Sequence, residues 1–278
     1  MASPGSRTDA TIASAPVLES REAGTGCWFL RFSAPSIAPR LGPGQFVHVK
    51  PESGPAPYLR RPFSIYDVPE TPVGAVDLLF TIIGSGTAAL AALRAGDRLS
   101  VLGPLGRTFT MPADGTVTVL VAGGIGVAPF PDLARRVIAG GADAGRDVVA
   151  VLGARSRELL YCRDDFVRLG VPVHVATDDG SEGFRGNAVQ CATRVLDGLR
   201  GRAVRVYGCG PEPMLRALQA LCVERRIPGE LSIDRRMACG VGICRSCVVR
   251  VADGSAAGWH NATTCREGPV FDTATLRW

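Results

Sequence analysis

Three closely spaced cysteines near the carboxyl end place the strongest constraint on this chain of 278 residues. Cys239, Cys244 and Cys247 have the spacing C-x4-C-x2-C, and Cys265 follows after seventeen residues. The first part is the ligand spacing of plant-type [2Fe–2S] centres, in which four thiolates hold two irons. Two glycines inside the loop allow the tight turns that a loop around a cluster requires. The four cysteines are therefore predicted to be the ligands of a [2Fe–2S] cluster.

A structural zinc site and a set of unrelated buried thiols are the alternatives. Zinc sites commonly show two close cysteine pairs, whereas the first three cysteines of this chain share one loop. Four other cysteines stand singly in predicted strands or helices and are expected in the core. These are Cys27, Cys162, Cys191 and Cys222.

Composition and charge exclude several classes of protein. Apolar residues make up 46% of the chain, which excludes a disordered protein, and no apolar run is long enough to span a membrane. The net charge of +5 is carried by arginines spread along the chain, with Lys50 the only lysine, so no nucleic acid partner is expected. The amino-terminal stretch lacks the apolar segment of a signal peptide, and the odd cysteine count disfavours disulfides. A cytoplasmic protein is therefore expected.

The rhythm of apolar residues divides the chain into four parts. Residues 1–9 are predicted to be a flexible tail. Residues 10–113 show short strands and one short helix at Thr87–Leu93, which predicts an antiparallel β-barrel. Residues 114–229 alternate apolar strands with helices, which predicts an α/β domain with a parallel sheet. Residues 230–278 form a small module, with too little core to fold easily without a metal centre.

Two glycine turns follow strands of the predicted parallel sheet. "VAGGIGVAP", residues 121–129, leads into a helix, and "YGCGPEPML", residues 207–215, repeats the pattern. Such turns let a backbone approach a pyrophosphate, and both would lie at the carboxyl ends of strands. One glycine turn alone is often only a turn. A further segment, "LRRPFSIYD" at 59–67, is either a solvated arginine pair on an edge strand or an anion site.

In their order, these segments resemble the ferredoxin-reductase superfamily, and specifically the electron-transfer subunits of NAD-dependent dihydroorotate dehydrogenases. The resemblance runs from about Gly44 to Trp278 and rests on "RRPFSI", "GSGTAALAALRAGDRLSVLGPLG", "GGIGVAP", "LGARS", "TDDGSEGFRG", "YGCGPEPML", "MACGVGICRSCVVRV" and "CREGPVFD". It implies FAD in the barrel, NAD in the central domain and the cluster in the last module.

The resemblance also implies a set of flavin-binding residues. Arg61 would face the phosphates, and Ser64 would lie near flavin N5. The other residues implied are Pro62, Phe63, Leu79, Phe80, Thr81, Gly86 and Thr87. Many relatives carry an arginine where this chain has Thr81, and the "GPLGRTF" loop lacks a second glycine.

The nicotinamide nucleotide would lie between the two glycine turns. The residues implied are Gly123, Gly124, Ile125, Gly126, Val127, Cys209, Gly210 and Pro211. Cys209 would lie next to the reacting ring, although a core thiol at a strand end is the alternative. NADP(H) is the other candidate, because Arg155, Ser156 and Arg157 either contact a 2′-phosphate or are solvated. The three histidines form no catalytic constellation, and no role is assigned to them.

The resemblance implies that the chain passes electrons between NAD(H), FAD and the cluster. Its partner would be an FMN-containing catalytic subunit, in a heterotetramer of two of each chain that serves pyrimidine biosynthesis. Three alternatives stay open. The chain is a paralogous reductase for another flavoprotein or a biosynthetic enzyme, an oxygenase reductase, or a carrier or sensor with vestigial reductase domains.

Overall fold

The computed structural model describes residues 10–53 and 58–278, so the predicted tail of residues 1–9 lies outside the described residues. The strands are β1 (Thr11–Gly24), β2 (Cys27–Ser33), β3 (Phe46–Pro51), β4 (Arg61–Ser64), β5 (Ala75–Thr81), β6 (Arg98–Leu105), β7 (Val117–Gly123), β8 (Val148–Ala154), β9 (Val173–Thr177), β10 (Phe184–Arg185), β11 (Val204–Cys209), β12 (Gly229–Ser232), β13 (Val248–Ala252), β14 (Trp259–Thr263), β15 (Val270–Asp272) and β16 (Leu276–Arg277).

The α-helices are α1 (Ser85–Ala91), α2 (Phe130–Ala139), α3 (Ala144–Asp147), α4 (Arg163–Arg168), α5 (Ala188–Gly198) and α6 (Glu212–Arg225). Short 3-10 helices cover Ala38–Arg40, Gly124–Val127 and Arg157–Leu159. Among the described residues, no helix is both long and apolar enough to cross a membrane.

The amino-terminal part is a six-stranded antiparallel sheet in the order β4-β3-β6-β1-β2-β5. Just beyond β4, Asp67 forms a bridge with Asp77 of β5, which nearly closes the sheet into a barrel. The buried carboxylate of Asp77 accepts two hydrogen bonds from Arg31, each 2.7 Å long. The alternating inward residues form the barrel core, as the strand pattern predicts.

The central part is a parallel sheet of six strands in the order β10-β9-β8-β7-β11-β12, with helices on its faces. The neighbouring strands β7 and β11 pair in register, Ala122 opposite Cys209, so the two glycine turns leave the sheet side by side. Carboxyl ends of neighbouring parallel strands are where ligands bind in such sheets. The predicted fold class, a barrel followed by an α/β domain, is confirmed.

The carboxyl-terminal part is attached to both preceding domains. Its strands β14, β13 and β16 form a small antiparallel sheet, and β15 joins the large sheet as a seventh strand, antiparallel to β12. Phe271 and Leu276 thereby enter the same apolar cluster as Leu231 of the central sheet. Arg107 N donates to Gly268 O at 2.7 Å, which ties the module to the end of the barrel.

Several element bounds differ from the predicted ones. Helix α1 begins two residues before Thr87, because the Thr87 hydroxyl accepts hydrogen bonds from the amides of Ile83 and Gly84 and so caps the helix. Residues 157–169 do not form one continuous helix, since Cys162, between Arg157–Leu159 and α4, has left-handed backbone angles, with φ of 59°. The domain bounds remain a prediction, and the one at 229/230 falls inside β12.

Candidate functional site

The cysteine loop is shaped by left-handed residues and by amides that face sulfur. Gly240 and Gly242 have φ of +70° and +84°, a region that favours glycine. The amides of Val241 and Cys244 each donate to Cys239 Sγ over 3.4 Å. Amides aimed at a sulfur stabilise its thiolate form, the form that binds metal.

The four predicted cysteine ligands lie in two contacting pairs. Cys239 and Cys244 form the outer pair, and Ser246 Oγ lies 3.2 Å from Cys244 Sγ. Cys247 and Cys265 form the inner pair, each 2% exposed. The pairs also interact electrostatically, because the Cys239 charge contributes to the raised pKa of Cys265.

The two pairs differ in the pKa of their thiols. Hydrogen bonds from Ser246, followed by those at Cys239, lower the pKa of the exposed Cys244 thiol to about 6. Burial, followed by the contact with Cys247, raises the pKa of Cys265 to about 12. Two pairs of thiols suit a two-iron cluster, in which each iron takes two thiolates. Among the described residues, no group of three or more His, Cys, Asp or Glu side chains is arranged to hold a single metal ion.

The inner cysteine pair packs directly on the barrel. Cys247 and Cys265 form an apolar cluster with Phe46 of β3 and with Leu102 and Leu105 of β6. Phe46 lies opposite Ser64 of β4 in the antiparallel ladder. Cross-strand partners share one face of a sheet. The cysteine module therefore covers the barrel face on which Ser64 and Pro62 are presented.

The predicted flavin strand β4 presents its residues alternately to the two faces of the barrel sheet. Arg61 and Phe63 pair with Val49 and Val47, which belong to the barrel core. All four β4 residues are half-buried. Ser64 and Pro62 lie on the opposite face, toward the cysteine module.

Arg61 lies across the first turn of α1. A Cβ atom placed on Gly86 would be only 2.7 Å from Arg61 Nε, so glycine at this position leaves room for the guanidinium. Thr87 is buried and caps the same turn. A guanidinium beside a helix start is a donor set that fits the pyrophosphate of FAD.

The three predicted residues at the end of β5 differ in their surroundings. Phe80 lies in the barrel core, and its ring centroid is 5.1 Å from that of Phe63. Leu79 joins the cluster that contains Val127 of the first glycine turn. Thr81 is half-buried and pairs with Cys27. Leu79 therefore connects the barrel to the nucleotide turn.

The two glycine turns are packed backbone against backbone. A Cβ atom on Gly126 would lie 2.5 Å from the carbonyl oxygen of Cys209, and one on Gly123 would lie 2.8 Å from Pro211 Cδ. Gly210 has φ of +157° and approaches the Gly123 backbone. The remaining residues of the first turn are Gly124, which is open, and Ile125, which packs on the core. This close packing forms a cradle lined by backbone, which suits a pyrophosphate.

Cys209 ends β11 in a half-buried position. Burial raises the pKa of its thiol to about 12, and a hydrogen bond with Ser232 opposes that shift. A neutral thiol suits contact with a flat nicotinamide ring. Of the other isolated cysteines, Cys27, Cys191 and Cys222 are buried in the core as predicted, whereas Cys162 is only half-buried.

Three residues that the pattern of the sequence did not single out contact the predicted site. Phe46 and Leu102 cover the inner cysteine pair, and His48 lies against Gly240 of the cysteine loop. The alternation in "QFVHVK" already places Phe46 and His48 on one face of β3. What that face would contact depends on a segment far along the chain.

Two family models match the chain. Residues 120–220 match the oxidoreductase NAD-binding domain, and residues 234–277 match the iron–sulfur cluster binding domain of dihydroorotate dehydrogenase B. Both matched segments contain residues described above: the glycine turns in the first, the four cysteines in the second.

Curated relatives match over most of their length. One is the electron transfer subunit of dihydroorotate dehydrogenase B (NAD(+)) from Desulforamulus reducens, 39% identical over 90% of this chain and 92% of the relative. The protein of the same name from Bacillus caldolyticus is 41% identical over 82% of this chain and 84% of its own length.

Solved structures show the same fold. An NADH-dependent reduced ferredoxin-NADP oxidoreductase, studied for flavin-based electron bifurcation, matches with a TM-score of 0.77 and 25% identity, over 96% of this chain and 90% of that one. An Amycolatopsis cytochrome P450 reductase matches with a TM-score of 0.63 and 25% identity, over 78% and 67%. With the level of identity to the curated relatives, these findings show that the chain belongs to the family of dihydroorotate dehydrogenase B electron transfer subunits.

Proposed function

We propose that this chain is the electron transfer subunit of a two-protein oxidoreductase and moves electrons between NAD(H), FAD and a [2Fe–2S] cluster. Its partner would be an FMN-containing flavoprotein that acts on dihydroorotate, in a heterotetramer of two of each chain. When bound, FAD would exchange a hydride with the nicotinamide and single electrons with the cluster. The chain itself would bind and orient these groups.

The packing of the inner cysteine pair on the barrel carries this proposal. Cys247 and Cys265 contact Phe46, and Phe46 stands opposite Ser64 on the predicted flavin strand. A cluster held by these thiols would lie beside the face of β4 that presents Ser64, the residue proposed for flavin N5. Such nearness is what a chain that passes electrons from one group to the other needs.

The proposed flavin contacts are made by groups with fitting chemistry. Arg61, beside the start of α1, would hold the pyrophosphate. Ser64 would offer its hydroxyl to flavin N5, and the walls would be formed by Pro62, Phe63 and the end of β5. No ionised side chain is needed for hydride transfer, because the protein contributes orientation and exclusion of water.

The proposed nicotinamide contacts are the backbones of the two glycine turns. Gly126 and Gly210 let the two turns pack together, and the open Gly124 would let the pyrophosphate approach the backbone, while Cys209 would lie against the ring. NAD(H) is the proposed nucleotide, in agreement with the names of the relatives. The arginines that would favour NADPH, Arg155 and Arg157, are exposed at the carboxyl end of β8.

The proposed exit for electrons is the outer side of the cysteine loop. Cys244 is exposed, and its neighbour Ile243 is 81% exposed, so an acceptor could approach this side closely. We further propose a cytoplasmic location. In the part of the chain that the structure describes, all nine cysteines are free thiols, which agrees with a reducing compartment.

The test is reconstitution of the purified chain with FAD and iron–sulfide. The expected product is yellow-brown, gives the electron paramagnetic resonance signal of a reduced [2Fe–2S] cluster and reduces an acceptor dye with NADH. A loaded chain that oxidises neither NADH nor NADPH would contradict the proposal.

Co-expression with an FMN-containing dihydroorotate-oxidising flavoprotein from the same genome tests the partner. Co-purification as two copies of each chain, with NADH formed from dihydroorotate and NAD(+), is expected. If the loaded chain oxidises NADH but the assembly does not oxidise dihydroorotate, the proposed partner is wrong. The chain is then a paralogous reductase for another flavoprotein.

A further inference from the structure

His48 is a buried polar side chain to which the proposed function assigns no task. It is 1% exposed, and its Nε2 has no hydrogen-bond partner among the described residues. A buried nitrogen without a partner is costly, at about 1–3 kcal/mol. Such a group needs an explanation, and a ligand that binds beside it is one.

The imidazole lies between the predicted flavin strand and the cysteine loop. His48 of β3 pairs with Pro62 of β4 on one side and with Leu102 of β6 on the other. A Cβ atom on Gly240 would lie 2.7 Å from His48 Nδ1. Glycine at position 240, next to the ligand Cys239, therefore lets the loop rest on the imidazole.

Burial and two neighbouring arginines favour the neutral form of the His48 imidazole. Arg60 and Arg61 are the cations whose fields act on it, after burial, which is the larger cause of its lowered pKa. From the cysteine loop it meets the backbone of Gly240, and from β6 the apolar Leu102. A neutral imidazole has one donor and one acceptor nitrogen, so one nitrogen can face the loop while Nε2 serves a bound group.

We propose that His48 is a positioning residue for electron transfer, which seats the cysteine loop against β4 and hydrogen-bonds through Nε2 to one of the two redox groups. This inference rests on the proposed function. Both candidate groups offer the same chemistry, which is a hydrogen-bonding atom between β4 and the cysteine loop. The atom would be an isoalloxazine heteroatom beside Pro62 or a cluster sulfur beside Gly240. Hydrogen bonds of this kind set the reduction potential.

Three substitutions at His48 in the full-length, FAD- and cluster-loaded chain separate shape from hydrogen bonding. His48→Leu keeps a comparable volume without polar atoms. His48→Gln places an amide nitrogen near the position of Nε2, and His48→Asn places it nearer Nδ1. His174→Leu is the matched control, because His174 is exposed on β9.

The loaded variants are mixed rapidly with NADH, and flavin and cluster reduction are followed separately. For His48→Leu, we expect about a tenfold change in the flavin-to-cluster equilibrium, which corresponds to a potential shift of about 59 mV. His48→Gln should restore the wild-type value, whereas His48→Asn should not. A shift in the cluster g-values assigns the bond to the cluster, and a shift in the flavin potential assigns it to FAD.

The outcomes separate this inference from the proposed function. A wild-type chain that binds no cluster, or that oxidises neither NADH nor NADPH, overturns the proposed function. A normal wild-type chain with identical potentials and g-values in all three variants overturns the role of His48 alone. Equal shifts in His48→Leu and His48→Gln overturn the hydrogen bond. Iron and FAD content are measured in each variant, and loss of either in His48→Leu with retention in His48→Gln supports the seating role.

Discussion

The two proposed ligand loops, the paired glycine turns and the cysteine loop, are held in different ways. The glycine turns contact one another through backbone atoms, as at Gly126 and Cys209, and need no ligand to keep their shape. Of the four predicted ligand cysteines, the inner pair is buried, while Cys244 in the loop is exposed. A nucleotide can dissociate after each reaction, whereas a cluster stays bound. The comparison indicates that the site of the exchangeable nucleotide is formed before the nucleotide binds, whereas the permanently bound cluster contributes to the folding of the loop that holds it.

Removing one cluster ligand from each pair should give the largest effects and test this contrast. Cys265→Ala and Cys244→Ala are both expected to abolish the electron paramagnetic resonance signal of the reduced cluster. Only Cys265→Ala also removes a buried contact with the barrel, so its melting temperature should be the lower of the two. NADH-dependent dye reduction should persist in both variants. A loss of NADH affinity in Cys244→Ala would show that the glycine turns also depend on the cluster.

Gly126→Ala is the corresponding disruption of the glycine turns. The added methyl group would lie within 2.6 Å of the Cys209 carbonyl carbon, and we expect unfolding to become easier by about 3 kcal/mol, with loss of NADH binding. Gly124→Ala is the control in the same turn, because nothing lies within 4 Å and only its φ of +54° opposes the substitution. That variant should cost about 1 kcal/mol. Equal costs, measured by denaturant unfolding, would contradict the idea of a turn shaped by close packing.

His48, against which the cysteine loop packs, should make the stability of the chain depend on pH, with a smaller effect than the two substitutions above. Burial, and then Arg60 and Arg61, lower the pKa of His48 from 6.5 to about 4. His48 is therefore protonated below about pH 6.5 in the unfolded chain but only below about pH 4 in the folded chain. The free energy of unfolding decreases as the pH is lowered across this window. From pH 7 to 5 the loss is about 2 kcal/mol.

This pH effect is measured as the difference between wild type and His48→Gln in the same cofactor-loaded state. The wild-type chain should lose stability relative to the variant as the pH falls from 7 to 5. A difference that stays constant would contradict a buried neutral imidazole at position 48. Burial raises the pKa of Cys209 in the second glycine turn to about 12, and a hydrogen bond from Arg235 lowers the pKa of Glu212. Neither group changes its charge between pH 7 and 5, so NADH affinity should not follow this pH profile.

Much of the fold could be predicted because its signals are local. The alternation in β3 and the apolar runs of β7 and β11 reflect the face that each residue buries, and the structure has strands at all three. The break at Cys162 could not be predicted, because no residue type in this stretch indicates that a cysteine adopts left-handed backbone angles. Strand β15 was missed for a different reason: three residues carry too little pattern, and their pairing with β12 joins distant segments.

The predicted site divides in the same way. The cysteine spacing and the glycine turns are local motifs, so the sequence was enough to name their residues. The contact between His48 and Gly240 depends on how the module docks on the barrel, and no spacing encodes that. The burial of Cys247 against Phe46 was likewise a tertiary outcome. Their catalytic and binding roles stay predictions until the variants above are measured.

The pairing of β15 with β12 bears on how such reductases can be rearranged by gene fusion or truncation. A chain cut after residue 233 would leave β12 as an open edge, with the ladder amides of Leu231 and Ile233 unpaired on that side. Open edges of this kind recruit strands from other molecules and promote aggregation. The terminal segment thus supplies the edge strand of the central sheet as well as the cysteine ligands. It cannot be removed or exchanged as an independent domain without exposing β12.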